Sequence, residues 1–162
     1  RCIARRSRRH AAKGNRRRGG KAGLAILSVF SGSETLDQLH RFMAEQCAAL
    51  DPPLDPAQKD AIVTAVHEGV ANIVLHAYGG EPGQPIQIHL AAGAHGVRVD
   101  LYDHGAAFDP DGVPAPELNE DLEGGLGWYL INEIADEVAY SHAESGWNRL
   151  VMVFNRSSKG AQ

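Results

Sequence analysis

The chain has 162 residues, 43% apolar and 22% charged, which is ordinary for one globular domain with enough material for a real core. No apolar run approaches a membrane span, no signal-peptide pattern appears, and Cys2 and Cys47 are too few for a disulfide framework, so a reducing, cytoplasmic setting is expected. The net charge of −4 is unevenly spread: ten of the 16 basic residues and none of the 20 acids lie in positions 1–21, so the remainder carries −14 and argues against nucleic acid as its main ligand.

Residues 1–22 form a basic arm with little that could build a core, and disorder is expected there. A solvated tail is the simpler reading, and a tether to nucleic acid or a membrane surface the more specific one. Gly14 and Gly19 to Lys21 faintly imitate a phosphate loop, but Gly20 stands where the lysine belongs and Ala22 where Ser or Thr is required.

The domain is expected over 23–156. Leu24 to Phe30 reads as a first strand. Ser31 and Glu34 have the spacing of a capping box, and Leu36, Leu39, Met43, Cys47 and Leu50 mark an amphipathic helix behind it. The segment 51–55 (DPPLD) breaks that helix. Asp55, Pro56 and Gln58 start a second one, running to about Tyr78 and ended by Gly79 and Gly80. Ile62, Val66, Val70, Ile73 and Ala77 share its core side, while Glu68, Asn72 and His76 recur every four residues on another side.

Ile86, Ile88 and Leu90 alternate with Gln87 and His89, and Val97, Val99 and Leu101 with Arg98 and Asp100, which gives a hairpin turning at 93–96. Asp103 and Gly105 stand where the second strand ends. Residues 106–123 hold three prolines, are rich in acid and lack periodicity, as a lid or binding loop would. Gly124, Gly125, Leu126 and Gly127 then open a helix to about Ala135, with Trp128 and Tyr129 expected to pack on the sheet. Val138 to His142 and Trp147 to Phe154 form a last hairpin, and a frayed tail follows over 157–162. The expected fold is α+β, a two-layer sandwich with a mostly antiparallel mixed sheet covered on one face by helices.

Three segments carry chemistry suited to a nucleotide. Glycine-rich backbone at a helix start can turn N–H groups toward phosphate. Asn72 can offer an amide oxygen to Mg²⁺, a buried Asp103 can accept from an adenine amino group beside the small Gly105, and Glu68 can take or orient a hydroxyl proton. Taken one at a time, each has a bland reading: a solvated helix stripe, a turn after a strand, a glycine-rich cap. His76 by itself reads as a packing or capping residue at the helix end. A zinc-protease pair starting at His67 and Glu68 fails because Ala71 replaces the second histidine. A dinucleotide fingerprint fails because the glycines follow a long loop.

Together and in this order, the segments EGVANIVLHAYGG, YDHGAAFDP, GGLGWYLINEIADEVAY and GWNRLVMVF resemble the N, G1 and G2 boxes of the ATPase superfamily shared by type II topoisomerases, sensor histidine kinases and MutL-type repair proteins. Within it they are most similar to the small bacterial anti-sigma factor serine kinases. The resemblance runs from about Leu24 to Phe154. It implies a Bergerat-type ATP site with Asn72 on Mg²⁺, Asp103 on adenine, Glu68 as catalytic base and 106–123 as the ATP lid. His76, Phe108 and Leu126, which stand in the same motifs, join Gly105, Gly124, Gly125 and Gly127 in the expected nucleotide-binding set. It also implies a phosphoacceptor Ser or Thr on an anti-sigma factor antagonist, a sigma factor as second partner, and a homodimer. No arginine or lysine lies between Arg98 and Arg149 to meet charge on a γ-phosphate, which keeps open a nucleotide-gated binding module that sequesters a partner. A detached histidine-kinase catalytic domain ranks below both.

Overall fold

The computed structural model describes residues 23–113 and 126–156. The alternating stretches become five strands: β1 (Gly23–Phe30), β2 (Pro85–Gly93), β3 (Gly96–Asp103), β4 (Glu137–His142) and β5 (Asn148–Asn155). They lie in the order β1-β2-β3-β5-β4, and every pairing is antiparallel, without the mixed component that was expected. Ile86, Ile88 and Leu90 of β2, Val97, Val99 and Leu101 of β3, and Leu150, Met152 and Phe154 of β5 are all buried, so the period-2 pattern turns one face of the sheet into the core.

Three helices cover that face: α1 (Thr35–Ala48), α2 (Pro56–Asn72) and α3 (Leu126–Ile134). Leu39 and Met43 of α1, Ile62, Val66 and Val70 of α2 and Ile131 of α3 are buried among the strand residues. The expected two-layer α+β sandwich is therefore present. No helix among the described residues is long and apolar enough to cross a membrane. The arm 1–22, the loop segment 114–125 and the tail 157–162 lie outside the described residues.

Two local expectations are corrected. Ser31 does not cap α1. Its hydroxyl donates to Glu81 O at 2.5 Å and accepts from Gln84 N at 2.9 Å, tying the end of β1 to the loop before β2, and Glu34 takes the N-cap position without a side-chain cap. The long helix is not α-helical to Tyr78. The α-helix stops at Asn72, and Ile73–Ala77 form a π-turn in which Tyr78 N reaches back five residues to Ile73 O. Gly79 and Gly80 then end it in the left-handed region, at φ 60° and 79°. The start of α2 is as expected, with Asp55 accepting from Ala57 N at 3.0 Å and Pro56 in the first turn.

Gly69 sets how closely α2 lies on the sheet. A Cβ there would stand 2.7 Å from Leu101 Cδ1 and 3.5 Å from Leu150 Cδ2, both side chains of the packed core. On the opposite sheet face Asp100 is nearly buried between Arg98 (2.9 Å) and Arg149 (2.8 Å). Burial alone would raise the Asp100 carboxyl. Hydrogen bonds from Arg149 and Arg98, with their charges, outweigh it and hold the group below its usual value of 3.8.

Gly69→Val overpacks the helix–sheet contact and lowers the unfolding free energy by about 1–3 kcal/mol, read by denaturant titration. The folded pKa of Asp100 lies below its unfolded value, so its ionised form stabilises the fold above the ordinary carboxylate range and that contribution is lost as pH falls through the folded value. Asp100→Asn is therefore less stable than wild type at pH 7, and the gap narrows as pH drops below about 4.

Candidate functional site

The site forms where α2 ends, β3 ends and α3 begins. Glu68 and Asn72 stand one turn apart on α2, both half-buried. Among the described residues, neither side chain makes a hydrogen bond. Gly127, at the start of α3, brings its backbone directly against them. A Cβ on Gly127 would lie 2.6 Å from Glu68 Oε2 and 3.4 Å from both Asn72 Nδ2 and Oδ1. Any side chain there would displace the Glu68 carboxylate, so glycine is what lets the third segment meet the first.

The second segment meets the same helix at its C-terminal end. A Cβ on Gly105 would fall 2.5 Å from the carbonyl carbon and oxygen of Ala77, and Ala106 N donates to Ala77 O at 2.8 Å. The room that Gly105 provides is thus taken up by the π-turn. Asp103 is 5% exposed and points from β3 into the layer between sheet and helices. Its Oδ1 accepts from Gly105 N at 2.8 Å and from Asn148 Nδ2 at 2.7 Å. Oδ2 accepts nothing among the described residues.

Two tyrosines brace this corner. Tyr78 donates to Pro85 O at 2.6 Å and accepts from His104 N at 2.8 Å, clamping the end of the π-turn to β2 and to the loop after β3. Tyr140 accepts from Phe108 N at 2.9 Å. Burial pushes both phenols up and the nearby Asp103 charge adds to this, while the backbone donors of His104 and Phe108 pull the other way. Both stay protonated at neutral pH. Phe108 packs edge-on against Trp128 (4.9 Å) and Tyr140 (5.6 Å), forming an apolar wall beside Asp103.

The structure therefore brings together Glu68, Asn72, Asp103, Gly105, Phe108 and Gly127. His76 does not join them in the expected register. It is exposed on the π-turn, because the wider turn after Asn72 ends the four-residue repeat. Leu126 is 38% exposed at the helix start, and Tyr129, expected on the sheet, is 41% exposed. Gly124 and Gly125 lie outside the described residues, as does most of the expected lid; of it, residues 106–113 are described and include one short 3₁₀ turn, Pro110–Gly112, capped by Asp109.

Sequence reasoning missed Gly69, Tyr78, Tyr140 and Asn148 as parts of the site. For Asn148 a signal was present. Leu150, Met152 and Phe154 alternate with it, so Asn148 occupies a core-facing position, and a buried amide needs partners. The arrangement offers a buried carboxylate oxygen, a carboxamide and a carboxylate on one helix, and a helix N-terminus abutting both, which suits a ligand carrying a polar ring at one end and anionic groups at the other.

A family model described as the histidine kinase-like ATPase domain matches residues 32–154. The serine/threonine-protein kinase BtrW of Bordetella bronchiseptica is 35% identical over 91 residues, which is 52% of this chain and 62% of that protein. The anti-sigma F factor of Anoxybacillus flavithermus is 31% identical over 107 residues, 61% of this chain and 70% of that protein. The serine-protein kinase RsbW of Bacillus cereus is 31% identical over 90 residues, 49% and 54% of the two chains. The matched stretches thus span between about half and about 70% of these relatives. The family match encloses Glu68, Asn72, Asp103, Gly105, Phe108 and Gly127, the residues the fold brings together, and the chain belongs to the histidine kinase-like ATPase domain family.

Proposed function

We propose that this protein is an ATP-dependent serine/threonine kinase that phosphorylates an anti-sigma factor antagonist and alternately restrains a sigma factor, so that transcription is regulated by partner switching in the cytoplasm. The observation that carries the reading is the contact of Gly127 with Glu68 and Asn72, which gathers a proton acceptor, a metal-type amide and a helix N-terminus at one place. The relatives' names, kinase and anti-sigma factor, support the two halves of the proposal.

The residues fit MgATP. Asp103 Oδ2, on a residue only 5% exposed, is an acceptor suited to the adenine amino group, Phe108 and Trp128 supply an apolar wall, and Asn72 Oδ1 is suited to Mg²⁺, a cation that takes oxygen ligands. MgATP would supply the transferable phosphoryl group and a cation to neutralise its charge. Backbone N–H groups at the start of α3 would face the phosphates. Glu68 is set to orient the acceptor hydroxyl and receive its proton at Oε1 or Oε2. The cation that would normally stand near the γ-phosphate is absent from the sequence between Arg98 and Arg149, so the acceptor protein is a natural source of it.

A second copy of the chain is the proposed partner of β1. Leu24, Ile26 and Phe30 are 64%, 53% and 68% exposed and project from this edge strand on the sheet face turned away from the helices.

Glu68→Gln is expected to retain nucleotide binding and lose about 10²–10⁴-fold in transfer rate, measured by intact mass of the antagonist after addition of MgATP. Asn72→Ala is expected to lose Mg²⁺-dependent binding as well. Transfer at the wild-type rate by Glu68→Gln would show that Glu68 is not the base. For the dimer, wild type is expected to sediment at twice the monomer mass and Ile26→Asp at the monomer mass; a monomeric wild type would remove the β1 assignment.

A further inference from the structure

The hydrogen bonds behind Asp103 form a chain that runs across three strands. Asp103 of β3 pairs with Asn148 of β5, and Asn148 with His142 of β4, all on one rung of the sheet. Asn148 is 1% exposed. Its Nδ2 lies 2.7 Å from Asp103 Oδ1 and 3.0 Å from Gly105 O. Both of these are acceptors, so the NH₂ end of the amide must face them. The flipped amide would set its carbonyl against a carboxylate. Asn148 Oδ1 is then turned to His142 Nδ1 at 2.7 Å, and that ring nitrogen must carry the hydrogen.

We propose that Asn148 is a positioning residue that pins Asp103 through Oδ1 and so presents Oδ2 to the base of a bound nucleotide, and that His142 holds Asn148 in the required orientation. The proposal rests on the nucleotide reading of the site. Asp103 Oδ1 already accepts two hydrogen bonds, from Asn148 Nδ2 and Gly105 N. A carboxylate held by one oxygen cannot rotate freely, and the other oxygen keeps a fixed direction. The amino group of adenine donates to such an oxygen. Hypoxanthine carries an oxygen acceptor at the same ring position, which a carboxylate repels. Asn148 and His142 would thus determine base selectivity without touching the base.

The test is calorimetric titration of wild type, Asn148→Ala and His142→Ala with MgATP and with MgITP. Wild type is expected to prefer ATP. Asn148→Ala is expected to bind ATP about 10-fold more weakly, in line with one hydrogen bond to a charged group, with ITP affinity changed less than twofold. His142→Ala is expected to shift the ATP/ITP ratio a few-fold in the same direction. His142 is exposed on an edge strand, so this variant keeps its core and decides the question should Asn148→Ala not fold. Equal loss of both nucleotides in Asn148→Ala, or an unchanged ratio in His142→Ala, overturns the positioning role while leaving ATP binding in place. A wild type that binds neither nucleotide, or both equally, overturns the nucleotide reading and the positioning role with it.

Discussion

Three close contacts around α2 hold the site together, and at each the absence of a Cβ is what allows the approach, against backbone at Gly105 and against side chains at Gly69 and Gly127. At Gly69 the helix lies on the sheet with an absent Cβ 2.7 Å from Leu101 Cδ1. At Gly105 the loop after β3 presses on Ala77, and at Gly127 the start of α3 presses on Glu68. These are steric conditions, and they act at different scales. Gly69 sets the depth of the helix over the strands, and with it the height of Glu68 and Asn72 above the sheet. Gly105 sets where the β3 loop meets the helix end, and Gly127 sets how closely α3 approaches Glu68.

The π-turn at Ile73–Ala77 follows from the same crowding. Tyr78 is fixed by two hydrogen bonds to β2 and to the loop after β3, and Ala77 O is taken by Ala106 N. Between Asn72 and these anchors the chain takes the wider turn. Glu68 and Asn72 of the polar stripe therefore face the start of α3 while His76 is exposed on the π-turn, and the end of the helix serves as a buttress for the Asp103 loop.

Charge is distributed with equal consequence. The described site presents carboxylates from Glu68 and Asp103, and the sequence holds no Lys or Arg between 98 and 149. Arg98 and Arg149 are turned to the opposite sheet face, where they neutralise Asp100. On the proposed reading, backbone N–H groups, the Asn72 amide and an external cation would have to manage phosphate charge.

Period alone determined much of this protein. Apolar residues repeating every two positions built β2, β3 and β5, and repeats of three and four built the core sides of α1 and α2, because alternation and helical pitch act on neighbouring residues. The motifs around Glu68, Asn72, Asp103 and Gly127 were legible for the same reason, as short runs of fixed spacing. The tertiary structure decided what depends on residues far apart in the chain. Asn148 lies 45 residues from Asp103, yet it orients that carboxylate. Ser31 left the helix cap for partners 50 and 53 residues away. His76 left its stripe because the loop at Gly105 occupies the helix end. The geometry of a buried polar group is settled by whichever partners the packed layers bring within 3 Å, and local spacing carries no record of them.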